Sequence, residues 1–399
     1  MRILTIADAL SSRGGLERIH LEVNRGLAKR GHAVDLLFAE GGDEGDSWLR
    51  FVGKSRQSRC SMRSGYRGLP SSLADLAKAV RFGVESRPDL IYAPRHTHLV
   101  HALTVGAVVR APVVCHLHTP PPRDRIARRH RIVLKRVGRF VVVSRFTAQQ
   151  WMDAGVPPPS MEVIHNGVDT DTFRPLDSAD RFDVRTRLGI GEDTFLALYA
   201  GRLDPTKGID VLLEAWAQLG AAKTEGRLVI AGAPSAYLGP KAEGLLTSWH
   251  RASDPASTLF LGHTPDLPRL YGAADVVVVP SVWAEPFGLV VLEAMACGTP
   301  IIASRVGGIP EALGDGFSSH LVEAGRPDRL AAKLNSLRQW RASDPGLGKR
   351  CRQHVLEGFT IDRMIDDIER LLSLTLERHR SHRGGEAVAA NDGVREVRS

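Results

Sequence analysis

Residues 279–310 read VPSVWAEPFGLVVLEAMACGTPIIASRVGGIP, and this stretch sets the terms for the whole chain. Apolar residues lead into a Pro286-Phe287-Gly288 turn, and the run from Leu289 to Leu292 opens a helix. Gly298 is suited to the left-handed position that ends the helix, Pro300 blocks its continuation, and residues 300–303 read as a buried strand. The pattern is strand, loop, helix, strand, with Glu285 in the loop and Glu293 between one and two turns into the helix. The amides of Phe287, Gly288 and Leu289 stand at the helix start, where no intrahelical acceptor exists for them, so they are suited to receive an anion. Two carboxylates at this spacing can address two parts of one extended ligand. The alternative is a solvated acid before a helix and an unrelated acid within it. The surrounding glycines, prolines and strands favour a built site.

At 399 residues the chain exceeds what one hydrophobic core usually supports, so two domains are expected. No apolar run approaches the ~18–20 residues of a membrane span. Residues 1–6 read as a first buried strand rather than a signal peptide. Cys60, Cys115, Cys297 and Cys351 are scattered without CxxC spacing, which argues against a zinc site and fits a reducing cytoplasm. The net charge of +8 admits nucleic acid, an anionic membrane surface or an anionic substrate as partner. No nucleic-acid reading module is recognisable, so nucleic acid is not expected. Basic residues concentrate in 50–67 and in 123–139. Residues 41–70, which include the first, are expected to be an irregular loop, and the second a basic helix, either solvated or facing anionic headgroups or a phosphorylated acceptor.

Strand and helix signals alternate along the chain, which predicts parallel sheets. Strand 2–7 runs into a polar loop with Gly14 and Gly15, followed by a helix with Leu16, Ile19, Val23 and Leu27 on one face. The loop lets backbone approach a phosphate but lacks the full G-x-G-x-x-G fingerprint, so a plain turn is an equal reading from the residues alone. His96, His98, His116 and His118 stand at or just past strand ends, where ligands gather in a doubly wound sheet. No carboxylate or cysteine accompanies them, which argues against a metal. Farther on, the strand 195–200 is followed by Gly201-Arg202-Leu203-Asp204-Pro205-Thr206-Lys207-Gly208 and a helix. Two cations framing a loop at a helix N-terminus suit a diphosphate. A helix from Thr360 to about Leu376 closes the ordered chain, and glycine and charge from 379 to 399 predict a disordered tail.

The sequence E-P-F-G-L-V-V-L-E at 285–293 resembles the E-x(7)-E signature of family 4 retaining glycosyltransferases. Its flanks at 295–300 and 307–311, the G-R-L-x(3)-K-G at 201–208, the V-S-R-F-T at 143–147 and the N-G-V-D at 166–169 resemble the same family. The resemblance spans roughly 1–375. It implies an α/β GT-B fold of two Rossmann-like, doubly wound parallel-sheet domains facing across a cleft. An acceptor-binding domain is expected over 1–178, a nucleotide-sugar-binding domain over 179–358, and a helix crossing back over 359–378. The implied activity is metal-independent, retaining transfer of a sugar from a nucleotide-sugar donor, with no prosthetic group. A UDP-sugar is the expected donor, with GDP- and ADP-sugars as alternatives. By resemblance Gly14, Gly15, Arg202 and Lys207 meet the diphosphate. Glu285 with the backbone of Phe287, Gly288 and Leu289 meets the sugar, Glu293 the ribose, and His118 the transferred sugar. The acceptor is expected to be a sugar, lipid-linked or otherwise anionic, used in cell-surface polysaccharide, lipopolysaccharide or glycolipid synthesis at the inner face of the membrane. Two other readings stand beside this one: a different GT-B enzyme such as a nucleotide-sugar epimerase or a phosphorylase, and a non-catalytic sugar-binding or membrane adaptor.

Overall fold

The computed structural model describes residues 1–11, 14–59, 69–121, 133–220, 225–234 and 238–395. It divides into two compact units: Met1–His165 together with the chain from Asp362 onward, and Asn166–Ile361.

The first unit is built on strands β1 (Arg2–Ala9), β2 (Ala33–Glu40), β3 (Ser55–Gln57), β4 (Leu90–Ala93), β5 (Val113–Leu117), β6 (Arg139–Val142) and β7 (Met161–Val163). They form one parallel sheet in the order β3-β2-β1-β4-β5-β6-β7. β4 and β5 are buried along their whole length, which is why they read as unbroken apolar runs instead of alternating. Helices Gly15–Lys29, Leu69–Ser86, Leu99–Val109 and Arg145–Asp153 connect the strands. In the first of these, Ile19, Val23 and Leu27 are buried as their spacing predicts.

The second unit has β8 (Phe195–Ala200), β9 (Gly226–Ala231), β10 (Thr258–Gly262), β11 (Val276–Val279), β12 (Ile301–Ser304) and β13 (Leu321–Val322), parallel in the order β10-β9-β8-β11-β12-β13. In each sheet successive strands build outward from one strand, then return to its other side. The reversal falls between β1 and β4 in the first unit and between β8 and β11 in the second. Such switch points open a crevice at the carboxyl ends of the strands.

Four expectations need correction or restriction. The boundary lies at His165/Asn166, not at 178, and the second unit runs to Ile361. Residues 166–177 belong to the second unit because the Val168 amide donates to the Phe359 carbonyl (2.9 Å) and Arg352 donates to the carbonyls of Thr170 and Phe173 (3.2 and 3.1 Å). The stretch 41–59 is not all irregular: Gly45–Leu49 is a short helix and β3 an edge strand. β3 escapes notice because its three residues are polar, and an edge position buries little. The closing helix runs over Ile361–Arg395, so the disordered tail expected from 379 is helical backbone as far as Arg395. No proline interrupts this stretch, and Glu386, Ala387, Ala389 and Ala390 are strong or acceptable helix formers. Most of the basic segment 123–139, and residues 60–67 of the other, lie outside the described residues.

The core of the first unit contains histidines. His20, His98, His101, His116 and His118 are all buried. Burial pushes the imidazole of His116 down to about 3 and that of His118 well below its ordinary value, with His116, His20 and Arg95 adding to the effect on His118. His20 is lowered in the same way, burial first and His98 next. These groups are neutral in the folded chain and titrate near 6.5 when unfolded. The unfolded state therefore takes up protons first as pH falls, and stability present above about 6.5 is lost below it. For His116 alone the loss is roughly 1.4 kcal/mol per pH unit between about 6.5 and 3. Urea titrations of the whole chain should show the unfolding free energy dropping between pH 7 and 5, with a shallower drop in His116→Gln. A pH-independent midpoint over that range would contradict this description of the core.

Candidate active site

In the second unit the switch-point loops after β8 and β11 meet. Gly208 has φ +73°, and a Cβ there would lie 1.9 Å from the Pro280 carbonyl oxygen, so only glycine allows the approach. The Thr206 carbonyl accepts from the amides of Val282 (3.0 Å) and Trp283 (3.2 Å). Asp204 accepts from the Thr206 amide at 2.8 Å and shapes the short turn Pro205–Lys207 that leads into helix Ile209–Leu219. The turn delivers the Lys207 ammonium onto the Oε1 of Glu285, which also accepts from Ser281 Oγ at 2.7 Å. Both members of the pair are largely buried, and Lys207 Nζ stands 5.9 Å from the centre of the Trp283 ring. The Arg202 backbone is fixed by Tyr199, whose hydroxyl donates to the Arg202 carbonyl at 2.7 Å. Burial, then Glu285 and Asp204, push the Tyr199 phenol far above its ordinary value, so it remains a hydrogen-bond donor.

A third loop, after β12, supports Glu285 from behind. The Gly308 amide donates to the Glu285 carbonyl at 2.8 Å. Gly307 has φ +58°, and a Cβ there would come within 2.0 Å of the same carbonyl oxygen. Gly288, at φ +100°, turns the chain into helix Leu289–Ala296 with no side-chain cap, leaving the helix start to backbone groups. The Phe287 side chain is buried, so this residue has only backbone to offer a ligand. Glu293 is also buried, and the Tyr271 hydroxyl donates to its Oε2 at 2.9 Å.

Sequence reasoning thus named residues that the fold brings into contact (Lys207 with Glu285) and placed Arg202 and Gly288 on the loops beside them. It missed Ser281, Tyr199 and Tyr271, which hold those groups in place. A serine four residues before Glu285 was the one local signal; the tyrosines lie far away in sequence.

The first unit has its own constellation at its switch point. Gly14 precedes helix Gly15–Lys29 in extended backbone, and a Cβ there would lie 2.0 Å from a carboxylate oxygen of Glu17. Glu17 therefore folds over the helix start, where an acid is favoured by the dipole. Arg95 bridges it (2.6 Å) to Asp8 (3.1 Å), and Asp8 also pairs with His98 Nε2 at 2.9 Å. His118 follows β5, with its ring 3.8 Å from that of His116, whose Nδ1 bonds the Tyr92 hydroxyl at 2.6 Å. His118 Nε2 is buried without a hydrogen-bond partner among the described residues. The sequence pointed to Gly14, Gly15 and His118 but not to the Asp8–Arg95–Glu17 bridge, whose members come from three separate elements. Among the described residues no three His, Cys, Asp or Glu side chains converge as a metal-binding group, and no helix is long and apolar enough to cross a membrane.

Comparison with known proteins fits this geometry. Residues 13–172 match the family described as Glycosyltransferase Family 4, and residues 180–353 match Glycosyl transferases group 1. D-inositol 3-phosphate glycosyltransferase of Mycobacterium tuberculosis is 33% identical over 301 residues, 73% of this chain and 60% of the relative. The chain thus spans about 60% of the length of the curated relatives it matches. Anabaena HepE, crystallised with UDP, superimposes with a TM-score of 0.80 at 23% identity, over 94% of this chain and 100% of that one. A glycosyltransferase from Rickettsia africae gives a TM-score of 0.80 at 20% identity, over 94% and 98% of the two chains. The chain belongs to the family 4 glycosyltransferases and has the two parallel-sheet Rossmann-like α/β domains of the GT-B fold.

Proposed function

We propose that the protein transfers a sugar from a nucleoside diphosphate sugar to an acceptor, retaining the configuration at the transferred carbon and using no metal. The observation that carries this reading is the Lys207–Glu285 pair at the second switch point, beside Arg202 and two helix N-termini. A diphosphate would take Lys207 and Arg202 as counter-charges, assisted by the helix starts at Gly208 and Gly288. Losing Lys207 leaves Glu285 held by Ser281 with acceptor capacity to spare for sugar hydroxyls. Cations already in place stabilise the charge that develops as the diphosphate departs, the role a metal fills in other transferases. Glu293, fixed by Tyr271, is assigned to the ribose hydroxyls. In the first unit, neutral His118 with its unpartnered Nε2 is suited to bond a sugar hydroxyl, and the Gly14–Gly15 backbone at a helix start is suited to a phosphate.

In the chemical step the bond between the sugar carbon and the phosphate oxygen breaks. The acceptor oxygen bonds to the same face of that carbon, and its proton passes to the departing phosphate oxygen. A UDP-sugar is the proposed donor, supported by the fold's likeness to HepE, which was crystallised with UDP-glucose. The acceptor is proposed to be anionic or lipid-linked and met at the cytoplasmic face of a membrane during synthesis of cell-surface glycans. The charge of +8 supports this, and so does the name of the mycobacterial relative, which acts on a phosphorylated polyol.

Arg202→Ala and Glu285→Gln should each lower the rate of sugar transfer by about 10²–10³ while leaving the folded state intact by circular dichroism. Full activity in either would sink the site assignment. A thermal-shift series with UDP, GDP and ADP should raise the midpoint with UDP alone, by up to roughly 2.7 kcal/mol of stabilisation at a hundred times Kd. A larger shift with GDP or ADP would reassign the donor. Binding without any transfer or donor hydrolysis would favour the adaptor reading.

A further inference from the structure

The second sheet has another edge, where its strands begin. There a cavity of about 530 Å³ opens among the segment before helix Ser178–Arg187, residues 297–299 ahead of β12, and the start of helix Leu347–Gly358. Its volume falls within the ~300–1,000 Å³ of small-molecule sites. Arg181, Arg341, Lys349 and Arg352 line it, and among the described residues no acidic one does.

The positive charge at this edge is under-compensated. Asp275, just before β11, is the carboxylate shared by Arg181 (2.8 Å), Arg341 (2.9 Å) and Arg185 (3.4 Å). Arg352 donates to main-chain carbonyls, including that of Ala296 at 2.7 Å, and meets no carboxylate among the described residues. Lys349 is exposed and forms no ion pair among them. The Nε of Arg181 is buried and lacks a hydrogen-bond partner among the described residues. Burial lowers the Arg181 guanidinium from its ordinary value; Asp275 opposes the shift, and Arg341 and Arg185 deepen it. The first-turn amides of Gly348 and Lys349 make no backbone hydrogen bond among the described residues, while Leu347 and Arg350 on either side donate to Asp344 and Gly346. A Cβ at Gly348 would lie 2.6 Å from the Gly298 carbonyl oxygen, so the two glycine backbones meet at the wall of the cavity. Leu176 and Trp340 give the cavity an apolar wall as well.

We infer that this cavity is a binding site for a small phosphate monoester, such as a sugar phosphate, separate from the donor site. The cations and free amides address the phosphate, and the apolar wall takes the body of the ester. The site stands at the far end of helix Leu289–Ala296 from Gly288, and Thr299 of its wall donates to the Tyr271 carbonyl at 2.6 Å.

Calorimetric titration of the full chain with fructose 6-phosphate, at constant ionic strength, tests the assignment. Saturable single-site binding is expected for the wild type and for Lys207→Ala, which removes a donor-site cation. Arg341→Gln and the exposed Lys349→Glu should each weaken it by about tenfold, the worth of one charge-assisted hydrogen bond. Fructose should not bind, and inorganic phosphate should bind more weakly than the ester. No saturable binding, binding abolished by Lys207→Ala, or binding untouched by Lys349→Glu and Arg341→Gln would each overturn the inference. Equal affinity for inorganic phosphate would overturn its ester part.

Discussion

The second unit's switch point is built around one ion pair. Lys207 and Glu285 belong to different loops, and their contact fixes both at the switch point between β8 and β11. A largely buried pair adds little net stability, because desolvation offsets most of the attraction. Removing either partner is costly, since it leaves a desolvated charge alone. Selection on such a pair is easier to explain by position than by stability. The glycines at 208, 307 and 308 serve the same end, since each lets one backbone approach another closer than a side chain would permit. The pair also holds an ammonium and a carboxylate at one point, and the proposed donor site rests on that arrangement.

The two units solve similar geometric problems with different electrostatics. At its switch point the second unit holds full charges in water-poor surroundings. The first keeps Arg95 between Asp8 and Glu17 near its crevice and buries its histidines neutral behind them. A neutral imidazole with an unpartnered nitrogen suits hydrogen bonding to hydroxyl groups. A cation suits phosphate.

Much of this was legible in the sequence because parallel strands buried on both faces announce themselves. The runs at 195–200, 276–279 and 301–303 are near-continuous apolar stretches, and each is followed by glycine or proline within a few residues. The loops that follow them carry the candidate site, and Arg202, Lys207, Glu285 and Gly288 stand out there through local pattern together with the family resemblance of their motifs. Other parts left no local trace. β3 is three polar residues at a sheet edge. The unit boundary depends on Arg352 reaching back to Thr170 and Phe173, a contact that no window of sequence contains. The same is true of Tyr271 on Glu293 and of Arg95 between Asp8 and Glu17: each joins residues that only the strand order brings together. The tail continues as helix to Arg395 despite its glycine and charge, because it has alanines and lacks proline.

The most direct test of the central claim is a crystal structure of the protein with UDP bound. The account predicts the diphosphate at the carboxyl edge of the second sheet, with Lys207 Nζ and Arg202 on its oxygens and the Lys207–Glu285 contact opened. UDP bound elsewhere, or bound there with the ion pair intact and Lys207 away from the phosphates, would contradict it.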